Sequence, residues 1–245
     1  MLSHAAQSDL DFVQRHREIW AGRPELRSVY HGFFDQLLGA VGDRAPVVEL
    51  GAGPGFFKEY CPGLISTDVI STRWVDVVCD GCAMPFAAGS VGAFVALDVL
   101  HHLPRPLDFF AEVSRVLRRG GVLAVIEPWI TPASYILYHY FHHEDCRLRI
   151  DLSSPFSSAG KNAFDGNSAI PYKLVRHFLR TTQRPLELVR ARPFLGLPYL
   201  ATLGFKRVRP VPAGIVNASQ ACEKVLGIVG RWNATRALLV WEKQA

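Results

Sequence analysis

Three glycines at alternate positions, Gly51, Gly53 and Gly55, follow the apolar run Val47-Val48-Glu49-Leu50. Glycine takes up positive φ freely and lets a ligand approach the backbone closely. In an open parallel sheet, the turn after the first strand is a usual place for a nucleotide-like ligand. Asp68 ends the next apolar run, seventeen residues beyond Gly51, where a carboxylate can accept hydrogen bonds from both hydroxyls of a ribose. Asp80 ends a third run and can accept from an adenine amino group. Each acid alone reads as a polar strand terminus, but three consecutive strand ends with compatible groups point to a bound nucleoside. His101 and His102 follow a fourth run. Histidine suits proton removal near neutral pH, and a packing role for the pair stays open.

Other groups carry weaker chemistry. Cys79-Asp80-Gly81-Cys82 forms a C-x-x-C, but zinc would need a second Cys or His pair at similar spacing, so no metal site is expected. His139, His142, His143, Glu144, Asp145 and Cys146 form a second polar cluster. Residues 139 and 143 would share one face of a helix, with a metal, a base or a plain polar edge all open. Tyr135, Tyr138, Phe141 and Phe156 suit either a substrate wall or a core.

The elements that must position these residues follow from apolar periodicity. Leu10, Val13, Ile19 and Trp20, then Val29, Phe33, Phe34, Leu37 and Leu38, predict two helices separated by Gly22-Arg23-Pro24. Trp20, Arg23, Tyr30 and His31 lie on or between these helices. Strands are expected at 47–50, 64–68, 75–80, 93–98 and 122–127, with a helix at 109–117 halted by Gly120-Gly121. Nearly continuous apolar strands between helices indicate a parallel sheet covered on both faces. Residues 128–200 break the rhythm, and the sheet signal returns at 205–211 and 237–241, with 216–230 a helix or a long connection. The expected architecture is one α/β domain over 1–245: a helical cap (1–43), a core (44–130), a lid-like insertion after strand five (131–200) and the final strands (201–245).

The residues 47–55, Asp80 with Met84-Pro85-Phe86, Leu97-Asp98-Val99-Leu100-His101-His102-Leu103, and Glu112 to Gly121 before a strand resemble the class I S-adenosylmethionine-dependent methyltransferases. They are most similar to the type 11 small-molecule branch, which includes quinone-biosynthesis enzymes. The resemblance covers roughly residues 44–130, and its motifs specify cofactor and fold, not substrate. It implies a Rossmann-like sheet of seven mostly parallel strands with S-adenosyl-L-methionine as cofactor. Gly51, Ala52, Gly53 and Gly55 would face the methionine part, with Glu49 supporting their turn. Asp68 would hold the ribose, Asp80, Gly81 and Cys82 would border the adenine, and Leu97 and Asp98 would lie beside the sulfonium. His101 and His102 are the candidate bases, and the N-terminal segment carrying Trp20, Arg23, Tyr30 and His31 would close over the site. One departure stands out: Ser71-Thr72-Arg73-Trp74 occupies a short stretch where many relatives have a fuller helix.

Composition bounds the alternatives. Apolar residues are 49% and charged residues 20%, ordinary for a globular protein. No run approaches the roughly 18 apolar residues of a membrane span, though peripheral membrane contact stays open. Residues 1–11 lack the apolar stretch of a secretory signal, so a cytoplasmic location is expected. Five scattered cysteines read as reduced thiols. The net charge of +5, with arginines at Arg115, Arg118, Arg119, Arg207 and Arg209, lacks the density of a nucleic-acid stripe. The expected partner is a small-molecule methyl acceptor, with oxygen preferred and oligomeric state left open. A nicotinamide-dependent oxidoreductase fits less well, because the turn lacks the closing glycine of G-x-G-x-x-G. A catalytically silent binding subunit is the other alternative, kept open by the apolar and basic 128–210 region.

Overall fold

Helical spacing before residue 42 and short apolar runs after residue 46 become two layers of structure. A computed structural model of the chain describes residues 4–141, 145–153, 166–181, 185–227 and 232–244. Helices α1 (His4–Gly22) and α2 (Pro24–Val41) come first. Pro24 opens α2 at its first turn, where its missing N–H costs nothing. Then follow β1 (Val47–Leu50), α3 (Phe56–Tyr60), β2 (Ile65–Asp68), β3 (Val77–Val78) and β4 (Val91–Leu97). After a single 3-10 turn (Leu100–His102) come α4 (Pro106–Val116), β5 (Leu117–Pro128), α5 (Pro132–Phe141) and α6 (Ile170–Arg180). The chain ends with β6 (Leu186–Phe194), α7 (Leu197–Thr202), α8 (Ala213–Leu226) and β7 (Arg236–Lys243).

The seven strands form one sheet in the order β3-β2-β1-β4-β5-β7-β6. The pairs β1–β2, β1–β4, β2–β3 and β4–β5 are parallel, while β7 runs antiparallel to both β5 and β6. Alternate residues of each central strand enter opposite cores, as the two-residue pleat requires. Phe94, Ala96, Leu123, Val125, Leu239 and Trp241 pack on the face covered by α4 and α6. Ala93, Val95, Val122, Ala124, Leu238 and Val240 pack on the face covered by α1, α2 and α3. Both faces are buried, which explains the nearly unbroken apolar strands.

Three features differ from the sequence expectation, and a fourth, the short link between β2 and β3, accords with it. The third strand shrinks to Val77–Val78, because Asp76 turns its carboxylate onto the Ser66 N–H (2.8 Å) and Lys58 (2.8 Å), while Asp80 turns back to the Cys82 N–H (2.8 Å). No helix joins β2 to β3; the short link instead carries Trp74 against Gly55, and Arg17 and Arg73 stack on its ring (4.9 and 4.6 Å).

The range 131–200 is not all lid. Within it, α6 buries Ile170, Leu174, Val175 and Phe178 in the core, and β6 is the edge strand of the sheet. Its Glu187, Arg190 and Arg192 are the charges that protect a sheet edge, and they hide the strand from an apolar-run reading. Conversely, 205–211 is not a strand. Gly204–Lys206 forms a 3-10 turn, and the carbonyls of Thr202, Gly204 and Arg207 are bound by the fully buried Arg23 guanidinium (2.6–2.8 Å). The stretch 216–230 holds most of α8.

Candidate functional site

The carboxyl ends of the strands are tied together by acids that grip backbone N–H groups. After β1 the chain turns through Gly51, Gly53 and Gly55 with φ of +67°, +49° and +75°, a region unfavourable to residues with a Cβ. A Cβ on Gly51 would lie 2.5 Å from Val99 Cγ2, and one on Gly55 2.5 Å from Trp74 Cβ. At Gly53 a Cβ would meet nothing within 4 Å, so this turn opens onto free space. Asp68, at the end of β2, accepts the Gly53 N–H (2.7 Å) through Oδ2 and the Ile70 N–H (2.8 Å) through Oδ1. Burial raises its pKa, opposed by those two N–H bonds. Asp68 therefore also fixes the glycine turn, a duty its spacing did not reveal.

Glu49 lies buried under the same turn. Burial first, then the neighbouring Asp68 charge, push its carboxyl up to about 8. It holds its proton at neutral pH, and Oε2 is buried with no hydrogen-bond partner among the described residues. Ala52 is buried, and its N–H bonds the Thr67 carbonyl (2.9 Å), tying the turn to β2. At β3, Asp80 is exposed while Gly81 lies against the Phe109 ring. Cys82 is half-buried, its thiol pushed up to about 11 by burial and by Asp80; burial likewise raises Cys79. These thiols lack the thiolate character of a redox pair.

The exit of β4 is held from β5. Leu97 leads into Asp98, which has φ +59°. Glu127, fully buried in β5, accepts the N–H groups of Val99 (2.8 Å) and Leu100 (2.7 Å) on Oε1, and its Oε2 lies 2.7 Å from His101 Nδ1. His101 is thereby enclosed, whereas His102 is partly exposed. Their rings lie 4.0 Å apart, and Gly166 packs so closely over both that a Cβ there would come 2.8 Å from His101 Cδ2. Asp98, His101 and Glu127 bring ligand-type atoms within 4.8 Å of one another. Those atoms already serve backbone N–H groups and a fixed cation.

That cation is Arg236, the first residue of β7. Its guanidinium is buried, donates from Nη2 to Asp98 Oδ1, and lies over the rings of Phe33 (5.1 Å) and Tyr199 (4.8 Å). Burial would lower its pKa, but Asp98 together with Tyr199 and Tyr138 outweighs burial and holds it above the ordinary value. Its Nε is buried without a hydrogen-bond partner among the described residues. Tyr30 of α2 stands beside Tyr199, with burial raising its pKa well above the usual phenol value. Tyr30, Phe33, Tyr199, Asp98 and Arg236 thus form an aromatic cluster around one charged pair, between the exit of β4 and the start of β7. Of these, sequence reasoning singled out Tyr30 and Asp98. Glu127, Phe33, Tyr199 and Arg236 went unrecognised as site residues, since no local spacing links positions 33, 127, 199 and 236.

The remaining candidates divide. Trp20 stacks on Phe56 (4.0 Å), His31 lies against Tyr60 (4.5 Å), and Arg23 serves the fold. His139 stacks on Tyr135 (5.3 Å) at the exposed end of α5, and Tyr138 donates to the Thr235 carbonyl. Cys146 is buried, its thiol raised to about 11 by burial, and Asp145 pairs with Arg147 (2.9 Å). His142, His143, Glu144 and Phe156, and the side chain of Phe141, lie outside the described residues.

Known proteins resemble this chain most over the same strand ends. A family described as a methyltransferase domain matches residues 48–125. Squalene methyltransferase 2 of Botryococcus braunii is 43% identical over 120 residues, covering 49% of this chain and 30% of its own length. Squalene methyltransferase 1 of the same organism is 31% identical over 125 residues, covering 51% and 32%. The chain spans about a third of the length of these relatives. Among solved structures, geranyl diphosphate C-methyltransferase from Streptomyces coelicolor A3(2) shares the fold, with a TM-score of 0.54 at 16% identity, over 87% of this chain and 79% of that one. Over residues 48–125 the chain is thus similar to a methyltransferase domain, and its sheet has the fold of a solved methyltransferase.

Proposed function

We propose that the chain transfers a methyl group from S-adenosyl-L-methionine to an oxygen of a small metabolite, lipid or sugar. The observation that carries this reading is the open Gly53 turn, locked by Asp68, at the same carboxyl edge of the sheet as the Asp98–Arg236 pair. The residues fit such a cofactor. Free space lies over Gly53, Glu49 keeps a buried polar atom without a partner, and Asp80 leaves its outer face exposed. In this reading Glu49, Gly51, Ala52, Gly53 and Gly55 hold the methionine end, and Asp68 the ribose. Asp80, Gly81 and Cys82 border the base, while Leu97 and Asp98 flank the reacting end. The free state of all five cysteines accords with action in the cytoplasm.

When bound, the cofactor supplies an electrophilic methyl group on a sulfonium. The chain's task is then to hold an acceptor in line, and orientation of this kind contributes up to about 7–11 kcal/mol in favourable cases. Tyr30, Phe33 and Tyr199 shield the Asp98–Arg236 pair from water. Arg236 presents a charged N–H to an acceptor oxygen, favouring its deprotonated form. His101, clamped by Glu127, sets the β4 exit. His102, the more exposed of the pair, is placed to take the acceptor's proton.

A carbon acceptor is the second reading. It is favoured by squalene, which two of the relatives' names carry, and by an aromatic cluster whose rings already hold a cation.

The test is calorimetric titration with S-adenosylhomocysteine and NADH, followed by transfer of a 13C-methyl group into organic-phase and aqueous metabolite fractions. Homocysteine-adduct binding together with a methoxy carbon signal is expected. A C-methyl signal selects the second reading. NADH binding without S-adenosylhomocysteine binding, or cofactor binding with no transfer into any fraction, overturns the proposal.

A further inference from the structure

Helix α8 turns its apolar face away from the protein. Its inward side buries Val216 and directs Glu223 onto the Gly196 and Leu197 N–H groups (2.9 and 3.1 Å), capping α7. On the outward side Ile215, Ala218, Cys222, Val225 and Leu226 recur at helical spacing, all exposed, with Val225 at 74%. An amphipathic helix normally faces these residues inward. The neighbouring chain adds Leu203 and Val208 before the helix and Trp232, 75% exposed, after it. Six of the large apolar side chains that this protein leaves exposed therefore fall between 203 and 232. Single exposed apolar residues need no explanation, but those of α8 share one helix face, and an exposed apolar stripe of this kind marks an interaction surface.

The charges around this face have one sign. Between residues 203 and 227 the basic residues are Lys206, Arg207, Arg209 and Lys224, all exposed, and the one acid is the inward-turned Glu223. A second copy docking here would set these cations against themselves. An apolar helix face edged by Lys, Arg and Trp matches instead an anionic lipid surface, where the apolar side enters the headgroup boundary and the cations meet the phosphates. We propose that α8, with the 203–209 segment and Trp232, seats the protein on an anionic membrane surface. Because α8 caps α7, and α7 carries Tyr199, the seated helix is joined to the ring that stacks on Arg236. The inference rests on the exposed face and its charges, and stands apart from the choice of acceptor.

The experiment is co-sedimentation with vesicles of phosphatidylcholine plus phosphatidylserine, and with phosphatidylcholine alone, for the full chain and for Ile215→Ser/Val225→Ser and Arg207→Ser/Arg209→Ser. These side chains are exposed, so unchanged melting and S-adenosylhomocysteine affinity should certify the variants as folded. Binding to the anionic vesicles is expected, at least tenfold weaker in each double variant and weakened by salt for the wild type. Trp232→Phe should abolish most of any lipid-induced blue shift in tryptophan emission. Absence of binding to anionic vesicles overturns the proposal, as does binding unaffected by both double variants. Concentration-dependent dimerisation lost in Ile215→Ser/Val225→Ser also overturns it, in favour of a second copy.

Discussion

The ends of β1–β4 and the ends of β5–β7 are built by different means. On the first side, acids close in sequence to the loops they serve grip backbone N–H groups: Asp68 holds Gly53 and Ile70, and Asp80 holds Cys82. On the second side, side chains from distant parts of the chain meet one another: Tyr30, Phe33, Tyr199 and Arg236 come from α2, α7 and β7. Backbone-held loops tolerate little change in shape and suit a ligand that never varies. A wall of separate side chains can be exchanged without rebuilding the sheet, and suits a ligand that differs between relatives. The family match ends at residue 125, close to where the second kind of construction begins.

The largest expected effect breaks the second side. Arg23 is fully buried, pairs with Glu25 (2.7 Å) and binds three carbonyls of the 202–207 segment. Burial would raise Glu25, but Arg23 and the Val211 N–H lower it below its ordinary value. Arg23→Met leaves a buried carboxylate and three carbonyls without partners. Removing one member of such a pair costs about 3–5 kcal/mol, a fall in Tm of roughly 10 °C or more for a domain of this size. Thermal melting checks this; a fall of less than about 3 °C would show that the segment does not depend on the clamp.

The next two expectations set the halves against each other. Gly51→Ala adds left-handed strain of about 1–2 kcal/mol and a collision with Val99, whose N–H is held by Glu127. The expected result is roughly 100-fold weaker S-adenosylhomocysteine binding by calorimetry, from about 2–3 kcal/mol in all. Arg236→Gln removes the cation beside Asp98. Because Asp98 retains some exposure, the expected stability loss is about 2–3 kcal/mol, toward the lower end for a broken buried pair. Cofactor affinity should stay within about threefold of wild type. An Arg236→Gln variant that lost cofactor affinity as heavily as Gly51→Ala would dissolve the distinction between the halves.

The same distinction explains what could be read from the sequence. The positions of Gly51 to Gly55, Asp68, Asp80 and Asp98 were legible because each sits at or just past a strand end, where an apolar run breaks into a polar or glycine residue. β6 was not, because an edge strand with Glu187, Arg190 and Arg192 carries no apolar run. The 205–211 segment misled in the opposite sense. Its apolar and basic alternation resembles a strand, yet its carbonyls answer to Arg23, about 180 residues earlier in the chain. Tyr199 and Arg236 escaped notice for a related reason. Their neighbours are set by the order in which β7 and β6 join the sheet, which no local window contains.

The smallest expected effect sharpens the first side. Glu49 shares its surroundings with Asp68, Lys58 and Asp76, and its carboxyl is raised from 4.5 to about 8. Between those two values the native state keeps a proton that the unfolded chain has released. Stability must therefore fall as pH rises through this window, and level off above it. Asp68 is raised as well and contributes with the same sign. Glu49→Gln has no proton to lose, so its melting temperature should decline less than the wild type's between pH 5 and 8, windows set by the same shift. The two proteins should nearly coincide at the acid end, with the variant the more stable at the alkaline end. Parallel curves would show that Glu49 is ionised in the folded protein. The carboxyl under the glycine turn would then act as a fixed charge, and the first side would be held by electrostatics as the second side is.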